Sequence, residues 1–141
     1  MATQVAEPGT GAEHGLTLET ERGITTISDS VVAQLAGYAC REVEGIAGMG
    51  AGFRRLISRI KPGGTQLTQG VNVEVGTREA AIDLVVLVRY GYPIPALAQQ
   101  VRENVIARIE SDTGLMVKEV NIEVDDLVFE TTETEGGSRV E

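Results

Sequence analysis

Tryptophan is absent from the 141 residues, and phenylalanine and tyrosine together number five. That argues against a pocket walled by stacked rings and leaves Val, Ile, Leu and Ala to build the core. One cysteine cannot form an internal disulfide, and with a single histidine there is no Cys/His cluster to hold zinc, so the composition fits a reducing, cytoplasmic compartment. The one histidine, His14, lies in an N-terminal stretch of small and polar residues, which leaves no Ser-His-Asp or Cys-His arrangement on a rigid scaffold. The first 14 residues have neither a basic nor an apolar region and do not read as a secretory signal. The longest apolar run in the strand-like middle, Leu84–Val88, is five residues, against the roughly 20 that span a bilayer. Any membrane contact is therefore expected to be peripheral or through a partner. Positive charge is also scarce: 12 Lys and Arg face 21 Asp and Glu, a net charge of −9, which repels phosphate backbones, and no nucleic-acid partner is expected.

What is present suffices for one domain, since 42% of the residues are hydrophobic and domains commonly run about 100–150 residues. Composition divides the chain into a disordered N-terminal tail at 1–14, an α+β domain at 15–129 containing a basic, Gly-rich linker at 46–69, and an acidic disordered C-terminal tail at 130–141.

Thr and Ile between Leu16 and Ile27 predict an extended segment, with Gly23 as a bulge or turn. Ser28 as cap and Asp29 in the first turn predict a helix over 29–44, with Val31, Leu35, Ala39 and Val43 beside Val32, Ala36 and Cys40, ended by Gly45. The period becomes two from Val71 to Val75, turns at Gly76–Glu79, and returns as a strand whose one face is Ala80, Ile82, Leu84, Val86, Val88 and Tyr90. Pro95 suits a helix start. Leu97, Ala98, Val101, Val105 and Ile109 mark the buried stripe with Ile94, and Gly114 ends it. A last strand over 116–124 alternates Val120, Ile122 and Val124 with Glu119, Asn121 and Glu123.

The order β-α-β-β-α-β is that of a split β-α-β, ferredoxin-like α+β fold, with two helices on one face of a mainly antiparallel sheet. Glu74, Asp83, Glu119, Asn121 and Glu123 then line the open face, available to water or another subunit.

Four local patterns carry chemistry. Gly48–Gly52 is rich enough in glycine to cradle a phosphate, but the dinucleotide fingerprint follows a strand, and here a helix is predicted before it. Cys40 falls on the apolar side of the first helix and reads as core. Asp125 and Asp126 lack the alternating acids and glycine turn of a calcium loop, so no metal is assigned. Phe53, Leu56, Ile57 and Ile60 are spaced as one face of a short helix, with Arg54, Arg55, Arg59 and Lys61 around them and no acid from 46 to 73. The rest of the chain holds 8 Lys and Arg against 21 acids, or −13, so this stretch is a positive island. Its stripe either caps the core or makes Phe53, Arg54, Arg55, Ile57, Arg59 and Lys61 a surface for anionic lipid or an acidic partner.

Three segments together resemble a known family: EVEGIAGM at Glu42–Met49, GVNVEVGTREAAIDLVVLVRYGYPIPALA at Gly70–Ala98, and VRENVIARIESDTGLMVKEVNIEVDDLVF at Val101–Phe129. The chain resembles the bacterial alkaline shock protein family of envelope-stress-response proteins from about Gly15 to Phe129. The resemblance implies a small intracellular, non-enzymatic protein without catalytic residues or cofactors, some of whose relatives are held at the cytoplasmic membrane face by a membrane-protein partner. The expected function is a self-associating scaffold, a homo-oligomer recruited by a small membrane-anchoring partner. The rival expectation is a small RNA- or nucleotide-binding module using the Gly48–Gly52 loop with Arg54 and Arg55. The acidic total and the lack of strand aromatics for base stacking weigh against it.

Overall fold

The computed structural model describes residues 4–5, 15–50 and 68–129. Its elements are β1 (Gln4–Val5), β2 (Gly15–Thr20), β3 (Gly23–Ser28), α1 (Asp29–Arg41), β4 (Ile46–Met49), β5 (Val71–Val75), β6 (Glu79–Arg89), α2 (Ile94–Thr113) and β7 (Met116–Val128). The α+β class and the split β-α-β arrangement are as the hydrophobic periods require.

The 11-residue β6 is the axis of the larger sheet. On one edge it pairs in parallel with β7 along its whole length, and α2 supplies the crossover. Its other edge is shared antiparallel by β4, opposite Val86–Val88, and β5, opposite Ala80–Leu84. These two short strands meet at Val85, whose C=O accepts from the Gly50 N–H at 2.9 Å and whose N–H donates to the Gly70 C=O at 2.8 Å. They therefore form one edge strand, interrupted between Gly50 and Gly70.

Alternation along β6 places Ala80, Ile82, Leu84, Val86 and Val88 under the helices, each no more than 2% exposed. They meet Val32, Ala36, Ala39 and Cys40 of α1 and Leu97, Val101, Val105 and Ile109 of α2 in one core cluster. Tyr90 departs from the expected face: it lies past the strand end, 66% exposed, with its ring stacked on Phe129 at 4.8 Å.

Several boundaries differ from the sequence reading. The segment Leu16–Ile27 is not one strand of the main sheet but the antiparallel hairpin β2–β3, turned at Glu21 and Arg22 and joined by β1 into a separate three-stranded sheet. The Thr20 hydroxyl holds its turn by accepting from the Arg22 N–H at 3.1 Å. Helix α1 stops at Arg41 rather than residue 44, and Ser28 occupies the cap position without a side-chain cap bond, its hydroxyl lying 3.1 Å from that of Ser30. The buried stripe of α1 is Val32, Ala36, Ala39 and Cys40, while Val31 is 42% exposed. A helix one turn shorter, docked through its small residues, lets α1 approach α2 closely. Helix α2 ends as expected, at a left-handed Gly114, and β7 continues four residues beyond the expected 124 to Val128.

Candidate functional site

The sheet face turned away from the helices carries the polar row that alternation required. In register, Asn72 of β5, Asp83 of β6 and Asn121 of β7 lie side by side. The Asn72 amide donates to one Asp83 carboxylate oxygen at 3.2 Å, and the Asn121 amide donates to the other at 3.0 Å. Asn121 also donates to Glu119 at 3.1 Å. The central carboxylate is thus spent within the sheet, cross-linking three strands through charge-assisted bonds. Around it Glu74, Glu119, Glu123, Asp125 and Asp126 make the face acidic, while Val85 sits at its centre fully buried. Among the described residues no group of three or more His, Cys, Asp or Glu is arranged to hold a metal ion.

On the helical side a second polar cluster locks α1 to α2. Arg108 of α2 grips the Glu42 carboxylate with contacts of 2.8 and 3.0 Å, and its guanidinium lies 5.6 Å from the centre of the Tyr38 ring. Asn104 donates to the Ala39 C=O at 2.8 Å, closing an open carbonyl of the last turn of α1, and to Glu42 at 3.1 Å. Arg108 lies off the buried stripe of its helix. The pairing with Glu42 spans 66 residues of sequence and left no local signal.

Cys40 is buried in the core, as its place on the apolar side of α1 required. Burial pushes its thiol up from the ordinary 9.0 to about 12, against a smaller opposing pull from Arg41. The folded protein therefore holds a proton that the unfolded chain loses above about pH 9. The stabilisation is complete below that pH and declines as pH rises towards 12. Urea midpoints measured from pH 8 upward should fall more steeply in the wild type than in Cys40→Ala, and native Cys40 should resist alkylation by iodoacetamide at pH 8 until denaturant is added.

The expected surface residues Phe53, Arg54, Arg55, Ile57, Arg59 and Lys61 lie outside the described residues, as do Ala51 and Gly52. The rest of the glycine-rich loop is placed. Gly48 belongs to β4 and Gly50 gives its N–H to Val85, so that N–H is committed to the sheet rather than free to cradle a phosphate. Two further features escaped sequence reasoning. One is β4, whose IAGM is too short and glycine-rich to show a period of two. The other is the exposed Tyr90–Phe129 pair, formed between residues 39 apart.

The alkaline shock protein 23 family, described by its cell envelope-related function, matches residues 17–129. A stress response regulator gls24 homolog of Streptococcus pyogenes serotype M3 is 31% identical over 106 residues, 75% of this chain and 59% of that protein. The chain thus spans about three fifths of the streptococcal relative. The uncharacterized protein YqhY of Bacillus subtilis is 31% identical over 114 residues, 80% of this chain and 83% of that one. Among solved structures, MamM-CTD H285A aligns with 70% of this chain at 12% identity and a TM-score of 0.42. With the family pattern matched from β2 to the end of β7, the chain belongs to the alkaline shock protein 23 family of envelope-related stress proteins.

Proposed function

We propose that this chain is a non-catalytic interaction module of the cell-envelope stress response, self-associating and held at the cytoplasmic face of the membrane by a partner protein. Membership of an envelope-related family supports the setting. The observation that carries the interaction role is the acidic open face of the larger sheet, where the Asn72–Asp83–Asn121 row is internally satisfied and the flanking carboxylates of Glu74, Glu119 and Glu123 are exposed. Such a face suits docking by charge complementarity. No helix among the described residues is long and apolar enough to cross a membrane, so this reading assigns anchoring to the partner.

Fractionating cells under envelope stress, with and without a high-salt wash, tests recruitment. The protein should sediment with membranes only when its partner is present. Changing Arg54, Arg55, Arg59 and Lys61 together to Gln separates partner from lipid. These changes should abolish salt-sensitive binding of the purified protein to anionic vesicles while leaving membrane sedimentation in cells intact. Loss of sedimentation in the quadruple variant would transfer recruitment to the lipid contact.

A further inference from the structure

The outer edge of β7 is closed along only part of its length. In the parallel pairing with β6, alternate residues of β7 turn their N–H and C=O outward. At Val117 the outward N–H is taken by the Glu110 carboxylate of α2 at 2.9 Å. At Val120 the outward C=O is taken by the Arg102 guanidinium of α2 at 3.1 Å. Near the other end, the Leu127 N–H is taken by the carboxylate of Asp126 at 2.9 Å. Between these closures, the same alternation turns the backbone groups of Ile122 and Val124 outward, where no side chain among the described residues meets them. Natural sheets close or twist such edges because an unpaired row templates another strand. Here α2 blunts the first half and leaves a gap one short strand long.

Charge decides what fits that gap. Beside it on the open face stand Glu123 and Asp126, both exposed, with Asp125 at the bulge between them. A second copy paired antiparallel through the same gap would bring Glu123 against its own counterpart, with the flanking acids close by, and like charges across a strand pair destabilise it. Farther along, Leu127 and the Tyr90–Phe129 stack offer exposed apolar surface.

We propose that Ile122–Val124 is a strand-addition site for a short, extended, basic segment of a different protein. Its backbone completes the edge, its lysines or arginines meet Glu123 and Asp126, and an apolar residue beyond them rests on Tyr90 and Phe129. The inference rests on the reading that a partner protein recruits this chain, and it supplies the surface and the chemistry of that contact.

The probe is a labelled, end-capped seven-residue peptide alternating lysine and valine, titrated with the purified full chain and followed by fluorescence anisotropy. Saturable binding is expected, with no binding of the corresponding glutamate–valine peptide. Val124→Pro removes an outward N–H without touching the β6 ladder, and should weaken binding at least tenfold while circular dichroism and Tm stay near wild type. Glu123→Lys with Asp126→Lys should weaken it similarly and guards against a proline variant that fails to fold. Wild-type affinity in both variants overturns the site, as does binding of the acidic peptide as tight as that of the basic one. A change in oligomer size on Val124→Pro, measured by analytical ultracentrifugation, would assign the edge to a second copy and overturn the proposal. In cells, Val124→Pro at normal abundance should leave the membrane fraction. Retention there overturns the edge site while recruitment stands, whereas absence of the wild type from that fraction overturns the recruitment reading itself.

Discussion

Leu84→Ala is expected to lower the unfolding free energy by about 2–5 kcal/mol, the range for emptying a packed aliphatic site. Leu84 is 1% exposed at the middle of β6, paired with Val71 on one side and Ile122 on the other. Both helices close over the same core cluster, so the surrounding side chains are held from three directions and cannot collapse into the space. Urea denaturation followed by circular dichroism measures the loss as a lower midpoint at unchanged slope. A loss below about 1 kcal/mol would show that the centre of the core lies elsewhere. Leu87→Ala supplies the contrast: Leu87 is half-buried on the opposite face and should cost clearly less.

The strands and helices most readable in sequence were those with long, regular periods. Alternation from Ala80 to Val88 gave the buried face of β6 residue by residue, and Pro95 and Gly114 bracketed α2 because each acts through its own backbone. Reading failed where the deciding interaction was distant. Nothing near Leu16–Ile27 says that its partner is itself, folded back at Glu21 and Arg22, rather than the main sheet. The α1 stripe shifted from Val31 to Val32 because small residues at 36, 39 and 40 set how closely α1 docks, and a fourfold spacing of apolar residues is satisfied by either face. The acidic open face was legible from alternation alone. The hydrogen bonds that lock Asp83 between two asparagines depend on the register of three strands, which only the fold supplies. The short strand β4 was hidden for a similar reason: it is a strand through its pairing with Val86–Val88 of β6, far along the chain, and β5 continues the same edge on the other side of Val85.

That junction makes Gly70 the most demanding position in the sheet. Its φ of +76° lies in the left-handed region, where a Cβ costs roughly 1–2 kcal/mol. The same Cβ would stand 2.9 Å from the Gly50 C=O, the Met49 Cβ and the Val85 C=O, two of which are backbone atoms that cannot rotate away. Making room means pushing β5 off β4 at the point where Val85 bonds both, so forced overpacking adds roughly 1–3 kcal/mol. Gly70→Ala is therefore expected to cost about 2–5 kcal/mol, and amide exchange should quicken at Gly50 and Val85 before it does in the helices. Gly76→Ala is the matched control. The nearest atom to its added Cβ is the Glu79 C=O at 3.6 Å, and its backbone is not left-handed, so it should stay within about 0.5 kcal/mol of wild type. Equal stability of the two variants would mean that β4 and β5 are two independent strands rather than one edge strand interrupted between Gly50 and Gly70.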